Sequence, residues 1–465
     1  MLDLLPTLEP RYVCPGEAHS ISRAVHLSRL AAFYPKCREC PHRGETGQLS
    51  QPQFPSTDTG QPHIEQRSLF TLEGVRGVYL NELTRHKAGE FAAAFASLLW
   101  ESLPLSGRGD LRDANAKRPP RRNGPVVVVG FDERPSSPDL VTGVAAALRR
   151  MSCQVIDIGQ TSQPCFRFAV AHMQAAGGIM ITGHGCEPSW TGLDFVGKHG
   201  RPISAAGRRA ADSHDADPTA RVLSLDDLSD RHAAGAARPL RQAGTQRVFQ
   251  ASVPYLAGMW KHFHALRPLQ VAIGCPVRHV RQTLDALFEK LPVTLHWVAV
   301  PQRRRDLLAD DDADVCRVRD AVAARAADFG FLIDDDGANV AVLDEQGRRL
   351  APDDLLCLIA EMLLAEQPNG AIVVENAARE RLQPRVAARG ARCWLGGWTH
   401  AELWQSLRHD SAVCGGGASG RVWLHDTYPI SDAILTLAKL LQVFSQDDRV
   451  CSDRIGCRDH NQAAG

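Results

Sequence analysis

The sequence predicts an α/β protein made of several strand–helix–strand units with mixed or parallel sheets, and three observations carry that reading. The run Val126-Val-Val-Val129 is short, β-branched and closed by Gly130, as expected of a parallel strand buried on both faces. Asp139 to Met151 then has helical spacing and Gln154 to Ile158 is strand-like again, which makes a β-α-β unit. The same alternation returns at Gln270 to Val300, at Phe329 to Leu343 and at Ala371 to Leu395. With 465 residues the chain has length for three domains of roughly 150 residues, each able to bury its own core.

Ahead of those units stands a cysteine- and histidine-bearing segment. Cys37-Arg-Glu-Cys40 has the two-residue gap that lets both thiolates reach one tetrahedral zinc. Cys14 with His19, or less regularly His26, would supply the other two ligands, with a helix expected over Ile21 to Phe33. Residues 1–48 are therefore expected to form a small zinc-binding module held by Cys14, His19, Cys37 and Cys40; reduced cysteines with nearby histidines are the alternative. Leu49 to His63 is rich in Gln, Pro, Ser, Thr and Gly without periodicity, so 49–67 reads as a linker. The main body begins near Ser68, with a helix expected at Arg85 to Glu101 and a basic, Gly- and Pro-rich loop at Ser106 to Pro125. Ser204 to Gln246 and the charged block Arg303 to Asp314 are expected to be exposed loops or surface helices that bury little.

Bulk properties remove several classes of function. Lys+Arg and Asp+Glu both number 53, so no basic excess draws the chain to nucleic acid. No apolar run reaches the ~18 to 20 residues a membrane span requires, so no membrane partner is expected. Met1 to Pro10 holds acidic residues and no basic residue followed by an apolar core, the opposite of a secretory signal, which makes the cytoplasm the expected location. The 13 cysteines are scattered and odd in number, so most are expected to be reduced and buried rather than paired in a disulfide framework.

Four stretches in the right order, from about residue 68 onward, resemble the signatures of the α-D-phosphohexomutase family, the phosphomannomutases and phosphoglucomutases. Phe70-Thr-Leu-Glu-Gly-Val-Arg-Gly77 is similar to the opening F-G-T-D-G-I-R-G and keeps its arginine as Arg76. Asp132-Glu-Arg-Pro-Ser-Ser-Pro138, with Asp157-Ile-Gly and Gln163-Pro164, resembles the D-x-R-x-S-S and D-x-G…T-P run and keeps Arg134. Thr182-Gly-His-Gly-Cys-Glu-Pro-Ser-Trp-Thr-Gly192 lies where the family has T-A-S-H-N-P-P-x-x-N-G, and an ungapped alignment puts His184 at the phosphoserine and Gly185 at the histidine. Asp334-Asp-Asp-Gly-Ala-Asn339 resembles the magnesium loop D-G-D-x-D-R; Asp334 and Asp336 remain, whereas Ala338 replaces the third carboxylate and Asn339 the arginine.

A further loop, Gly416-Gly-Ala-Ser-Gly-Arg421, is similar to the sugar-recognising G-E-x-S-G-H, with Ser419 and Gly420 retained and Gly417 and Arg421 in place of Glu and His. Gly397-Trp-Thr-His-Ala401 resembles the G-[FW]-K segment with Thr399 for the lysine, and Asp432-Ala-Ile-Leu-Thr436 resembles D-G-I-L-T. The resemblance implies three consecutive phosphohexomutase-type α/β domains with mixed sheets behind the N-terminal module: a first over 68–246, a second with the metal loop over 247–360, and a third over 361–465. The family's fourth domain, which grips the substrate phosphate, is not expected.

The family's chemistry and the residues present are in conflict. A mutase cycle needs an oxygen nucleophile, a Lewis acid, acid/base groups and a clamp for the distal phosphate, and here all four are lost or altered. The expectation is a degenerate member that binds a hexose phosphate or a protein partner, with weak residual magnesium at Asp334 and Asp336. The alternative is an active hexose-phosphate mutase or phosphotransferase in which His184 accepts the phosphoryl group while Arg76 and Arg134 hold the anion. His184 with Asp334 and Asp336 would also make a set suited to zinc or manganese. Substrate contacts are expected at Ser419, Gly420 and Arg421.

Overall fold

The computed structural model describes residues 12–31, 34–45, 68–102, 124–205, 223–235, 242–409, 411–425 and 428–456. The expected linker over 49–67 lies outside them. The chain divides into two compact units, residues 1–67 and 68–465.

In the first unit, β1 (Tyr12–Val13) and β2 (Ser20–Ile21) pair antiparallel ahead of a helix, Arg23–Ala31. Tyr12 stacks on the ring of His26 with centroids 4.1 Å apart, and the Glu17 carboxylate accepts from Arg29 at 2.8 Å and Tyr34 at 3.0 Å. Cys14, Cys37 and Cys40 are buried, His19 is exposed, and Cys14 Sγ accepts from Arg29 Nη1 at 3.0 Å. Burial, then the nearby sulfurs of Cys14 and Cys40, raises the Cys37 thiol.

Among the described residues the second unit holds three sheets. In the first, the order is β3 (Val75–Val78), β7 (Trp190–Gly197), β6 (Gly177–Ile181), β4 (Val126–Phe131), β5 (Gln154–Gln160) and β8 (Gln246–Val248); β3 and β7 run antiparallel to their neighbours and the rest are parallel. The run read as a buried strand is indeed covered on both faces. Val127 and Val129 pack toward the helices Arg85–Ser102 and Ser137–Arg150, while Val128, between them, enters the core shared with the other sheets. That alternation is the two-residue period of a pleated strand. The two helices cross closely because Gly143 has no Cβ, which would lie 2.2 Å from the Arg85 carbonyl oxygen.

The second sheet is ordered β10 (Val293–Val298), β9 (Leu269–Gly274), β11 (Phe329–Ile333), β12 (Val340–Leu343), and the third β14 (Arg392–Leu395), β13 (Ala371–Val374), β15 (Ala412–Gly416), β16 (Val422–His425), β17 (Pro429–Ser431). Both repeat one plan: parallel strands, then a hairpin back from the last of them. One continuous apolar core runs through Val128, Ile273, Phe331, Ile372 and Ile434, joining all three sheets. Among the described residues, no helix is long and apolar enough to cross a membrane.

Two segments differ in part from expectation. Within Ser204 to Gln246, a helix at Leu225–Ala233 starts on a Ser224/Asp227 capping box and buries Leu225 and Leu228. The block Arg303 to Asp314 is a largely exposed loop, as expected, with one buried exception: the side chains of Arg305 and Asp314 are both 0% exposed and pair with each other at 3.3 Å. Mixed charge permits this, because each buried charge brings its own partner.

Candidate functional site

The loops carrying the motif residues leave the carboxyl ends of β4, β6, β11, β13 and β15, the end at which open α/β sheets place their ligands. Asp132 at the end of β4 organises the first of them. Its Oδ1 accepts from Ser137 Oγ at 2.5 Å and Arg134 N at 3.1 Å, and its Oδ2 accepts from Gly183 N at 3.0 Å, which ties the loop after β6 in place. Gly183 has to be glycine there, since a Cβ would stand 2.8 Å from Arg134 Nε and 2.7 Å from the Trp190 carbonyl.

Arg134 spends its donors on that same loop. It donates to the carbonyls of Glu187 at 2.9 Å, Trp190 at 3.2 Å and Cys186 at 3.0 Å, and to Asp335 Oδ2 at 3.2 Å. Arg76 is similarly committed: it pairs with Asp194 on β7 at 2.6 Å, donates to its neighbour's carbonyl at 3.0 Å, and reaches His184 Nδ1 at 3.2 Å. His184 is therefore a mostly buried histidine wedged beside Arg76 and Asp194, not a solvated loop residue. A guanidinium only donates, so the contact at Nδ1 is a hydrogen bond only in the tautomer whose proton sits on Nε2. Burial lowers the affinity of His184 for a second proton; Asp194 opposes that and Arg76 adds to it.

The turn after β11 is an acidic triplet in which each carboxylate meets an arginine from elsewhere. Asp334 pairs with Arg305 at 3.3 Å, Asp335 with Arg134 at 3.2 Å, and Asp336 with Arg421 at 2.6 Å. Asp336 also accepts from the amides of Ala338 at 2.8 Å and Asn339 at 3.0 Å. Burial pushes Asp336 up, yet Arg421, His184 and those amides outweigh it and hold its carboxyl well below the usual range. Asp334 goes the other way: burial first, then Asp335 and Asp336, push it up to about 8 against the pull of Arg305.

Arg421, expected to face substrate, thus turns its Nη2 to Asp336. Ser419 and Gly420 sit in the turn after β15, where Ser419 N donates to Glu375 Oε2 at 2.8 Å and Ser419 Oγ also donates to that carboxylate. Glu375 was not singled out by the sequence. It comes from the end of β13 and lies against Gly417, where a Cβ would be 3.4 Å from its Oε2. It thus brings a carboxylate to the loop whose own motif glutamate is missing. Asp194 was missed too, although a lone acid inside Leu193-Asp-Phe195, in a buried strand, is a readable signal.

Among the described residues no group of three or more His, Cys, Asp or Glu side chains could hold a metal ion. At the acidic turn a guanidinium stands at each carboxylate, and in the first unit Arg29 occupies one face of Cys14.

Loops from all three α/β sheets thus meet in a group of buried arginine–carboxylate pairs. Residues 67–212 match the family description "Phosphoglucomutase/phosphomannomutase, alpha/beta/alpha domain I". The phosphomannomutase/phosphoglucomutase of Pseudomonas aeruginosa is 26% identical over 388 residues, spanning 82% of this chain and 75% of that one. The phosphoglucomutase/phosphomannomutase of Thermococcus kodakarensis is 24% identical over 398 residues, spanning 83% and 79%. A crystal structure of a phosphoglucomutase/phosphomannomutase family protein from Burkholderia thailandensis superposes with a TM-score of 0.69 at 23% identity, covering 84% of this chain and 79% of that one. Together these likenesses support membership of the α-D-phosphohexomutase family.

Proposed function

We propose that this family member binds a hexose phosphate in the cleft and does not turn it over. The observation that carries this reading is the arginine partner at each carboxylate of Asp334, Asp335 and Asp336. A hard divalent cation needs those oxygens and their charge, and guanidiniums already supply the compensation. A second support is His184: its Nδ1 stands 3.2 Å from Arg76 Nη2 and 3.5 Å from Asp194 Oδ2, so that nitrogen is engaged by one or the other in either tautomer. Retention of arginines at the strand ends, with Ser419 and Glu375 at the third sheet, supports recognition of a phosphorylated sugar.

The test pairs turnover with binding. Mannose 1-phosphate or glucose 1-phosphate is incubated with the purified chain, magnesium and glucose 1,6-bisphosphate, and 6-phosphate is read by a coupled dehydrogenase; the same sugar phosphates are then used in thermal unfolding. The expected result is no 6-phosphate above background, together with a rise in Tm that grows with ligand concentration. Turnover at rates usual for enzymes, on the order of 1–10³ per second, would refute the reading.

A further inference from the structure

Arg167 belongs to none of the motifs. It lies on the helix Gln163–His172, within the otherwise apolar run Cys165-Phe-Arg-Phe-Ala-Val170, and is 7% exposed. Its guanidinium packs over the Trp423 ring on β16, 5.3 Å from the centroid. Among the described residues its side chain makes no hydrogen bond or ion pair, and its buried Nε has no partner. Burial, then the neighbouring Arg421, lowers it to about 10, which leaves it a cation at neutral pH.

The carboxylates nearby are already engaged. Asp194 is held by Arg76 at 2.6 Å and by Gln163 Nε2 at 2.9 Å. Asp336 is held by Arg421 and two backbone amides. Glu73, raised by burial, accepts from Ser204 and from the His400 amide at 2.9 Å. Arg76 and Arg421 therefore have counter-charges and Arg167 does not. A cation kept inside a protein without a partner is a cost to the fold, and an anionic ligand removes it.

We propose that Arg167 binds the phosphate dianion of a hexose phosphate, with Arg421 and His400 flanking it at the junction of the first and third sheets. The assignment rests on the reading that the cleft takes such a ligand. A guanidinium fork matches two phosphate oxygens at once. His400, kept neutral by burial and then by Arg421 and Arg167, has Nδ1 3.4 Å from Glu73 Oε2.

The whole chain, as wild type, Arg167→Met and Arg167→Lys, is titrated calorimetrically with mannose 6-phosphate, inorganic phosphate and mannose, and unfolded thermally without ligand. Wild type should bind mannose 6-phosphate more tightly than inorganic phosphate and show nothing with mannose. Arg167→Met should weaken the sugar phosphate about tenfold or more, since a charge-assisted pair is lost, and Arg167→Lys should fall between. Without ligand the Met variant should unfold at the same temperature as wild type or higher. Retained affinity in Arg167→Met, or failure of that variant to fold while Arg167→Lys binds like wild type, overturns the role of Arg167 and leaves the cleft reading standing. Inorganic phosphate binding as well as the sugar phosphate overturns the hexose assignment. Absence of binding to wild type by any of the three overturns both.

Discussion

Two hairpins of the same topology meet in the cleft, and they have gone different ways. In the second sheet β11 turns into β12 through 334–339, with Ile333 opposite Val340; in the third, β15 turns into β16 through 417–421, with Gly416 opposite Val422. The first turn keeps Asp334 and Asp336 but carries Ala338 and Asn339, and the second keeps Ser419 but carries Gly417 and Arg421 in place of Glu and His. Their point of contact is the buried pair Asp336–Arg421 at 2.6 Å, and Asn339 Nδ2 reaches the Ser419 carbonyl at 3.5 Å. The difference teaches that a substitution in one turn, Arg421, can settle the charge of a carboxylate kept in another, Asp336.

The largest break in that relation comes from Arg421→Ala. It leaves Asp336 buried with no countercharge, and such a loss costs about 3–5 kcal/mol, measured by urea unfolding. Asp336→Ala added to it should recover part of that, because the unpaired charge is gone. Next is Asp432, which caps the helix Ala433–Phe444 beneath the acidic hairpin, where Ala433 N donates to the Gly337 carbonyl at 3.1 Å. Burial pushes its carboxyl up to about 6 while Tyr255 donates to it at 2.6 Å. A raised acid favours the folded state below the usual carboxylate range and loses that advantage as pH rises through about 6. Asp432→Asn keeps a capping oxygen and should flatten the decline between pH 4 and 6 by up to about 3 kcal/mol, read from Tm against pH. Arg304→Ala removes the Arg304–Glu187 pair at 3.6 Å, more than half exposed on both sides, and should move stability by under about 1 kcal/mol. Smallest is the mass of the chain after incubation with glucose 1,6-bisphosphate: no phosphoryl adduct at His184 is expected, and an adduct there would restore the nucleophile alternative.

The sheets were legible because their signal is local. Val126 to Val129, Phe329 to Leu343 and Ala371 to Leu395 carry apolar runs whose periods differ between strand and helix, and the strands and helices fall where those runs place them. Motif order likewise singled out Arg76, Arg134, Asp334 and Arg421, which in the fold pair with Asp194, Asp335, Arg305 and Asp336. Pairing stayed hidden. Arg421 and Asp336 are 85 residues apart and Arg134 and Asp335 are 201, so nothing in either segment announces the other. Arg305 reads as part of a solvated charge block because its partners, Asp314 and Asp334, become neighbours only when β11 is in place. Asp194 and Arg167 did carry a local mark, a single charge within an apolar strand or helix, and such marks identify buried ionic groups.

Magnesium titration most directly tests whether arginines have replaced a cation at the acidic turn. The Tm of the wild-type chain is followed from zero to millimolar magnesium, at constant ionic strength, beside Arg421→Ala. An unchanged Tm is predicted for the wild type, and a magnesium-dependent rise only for Arg421→Ala, in which Asp336 has lost its guanidinium. A clear rise in the wild type would contradict the replacement of the cation by arginine.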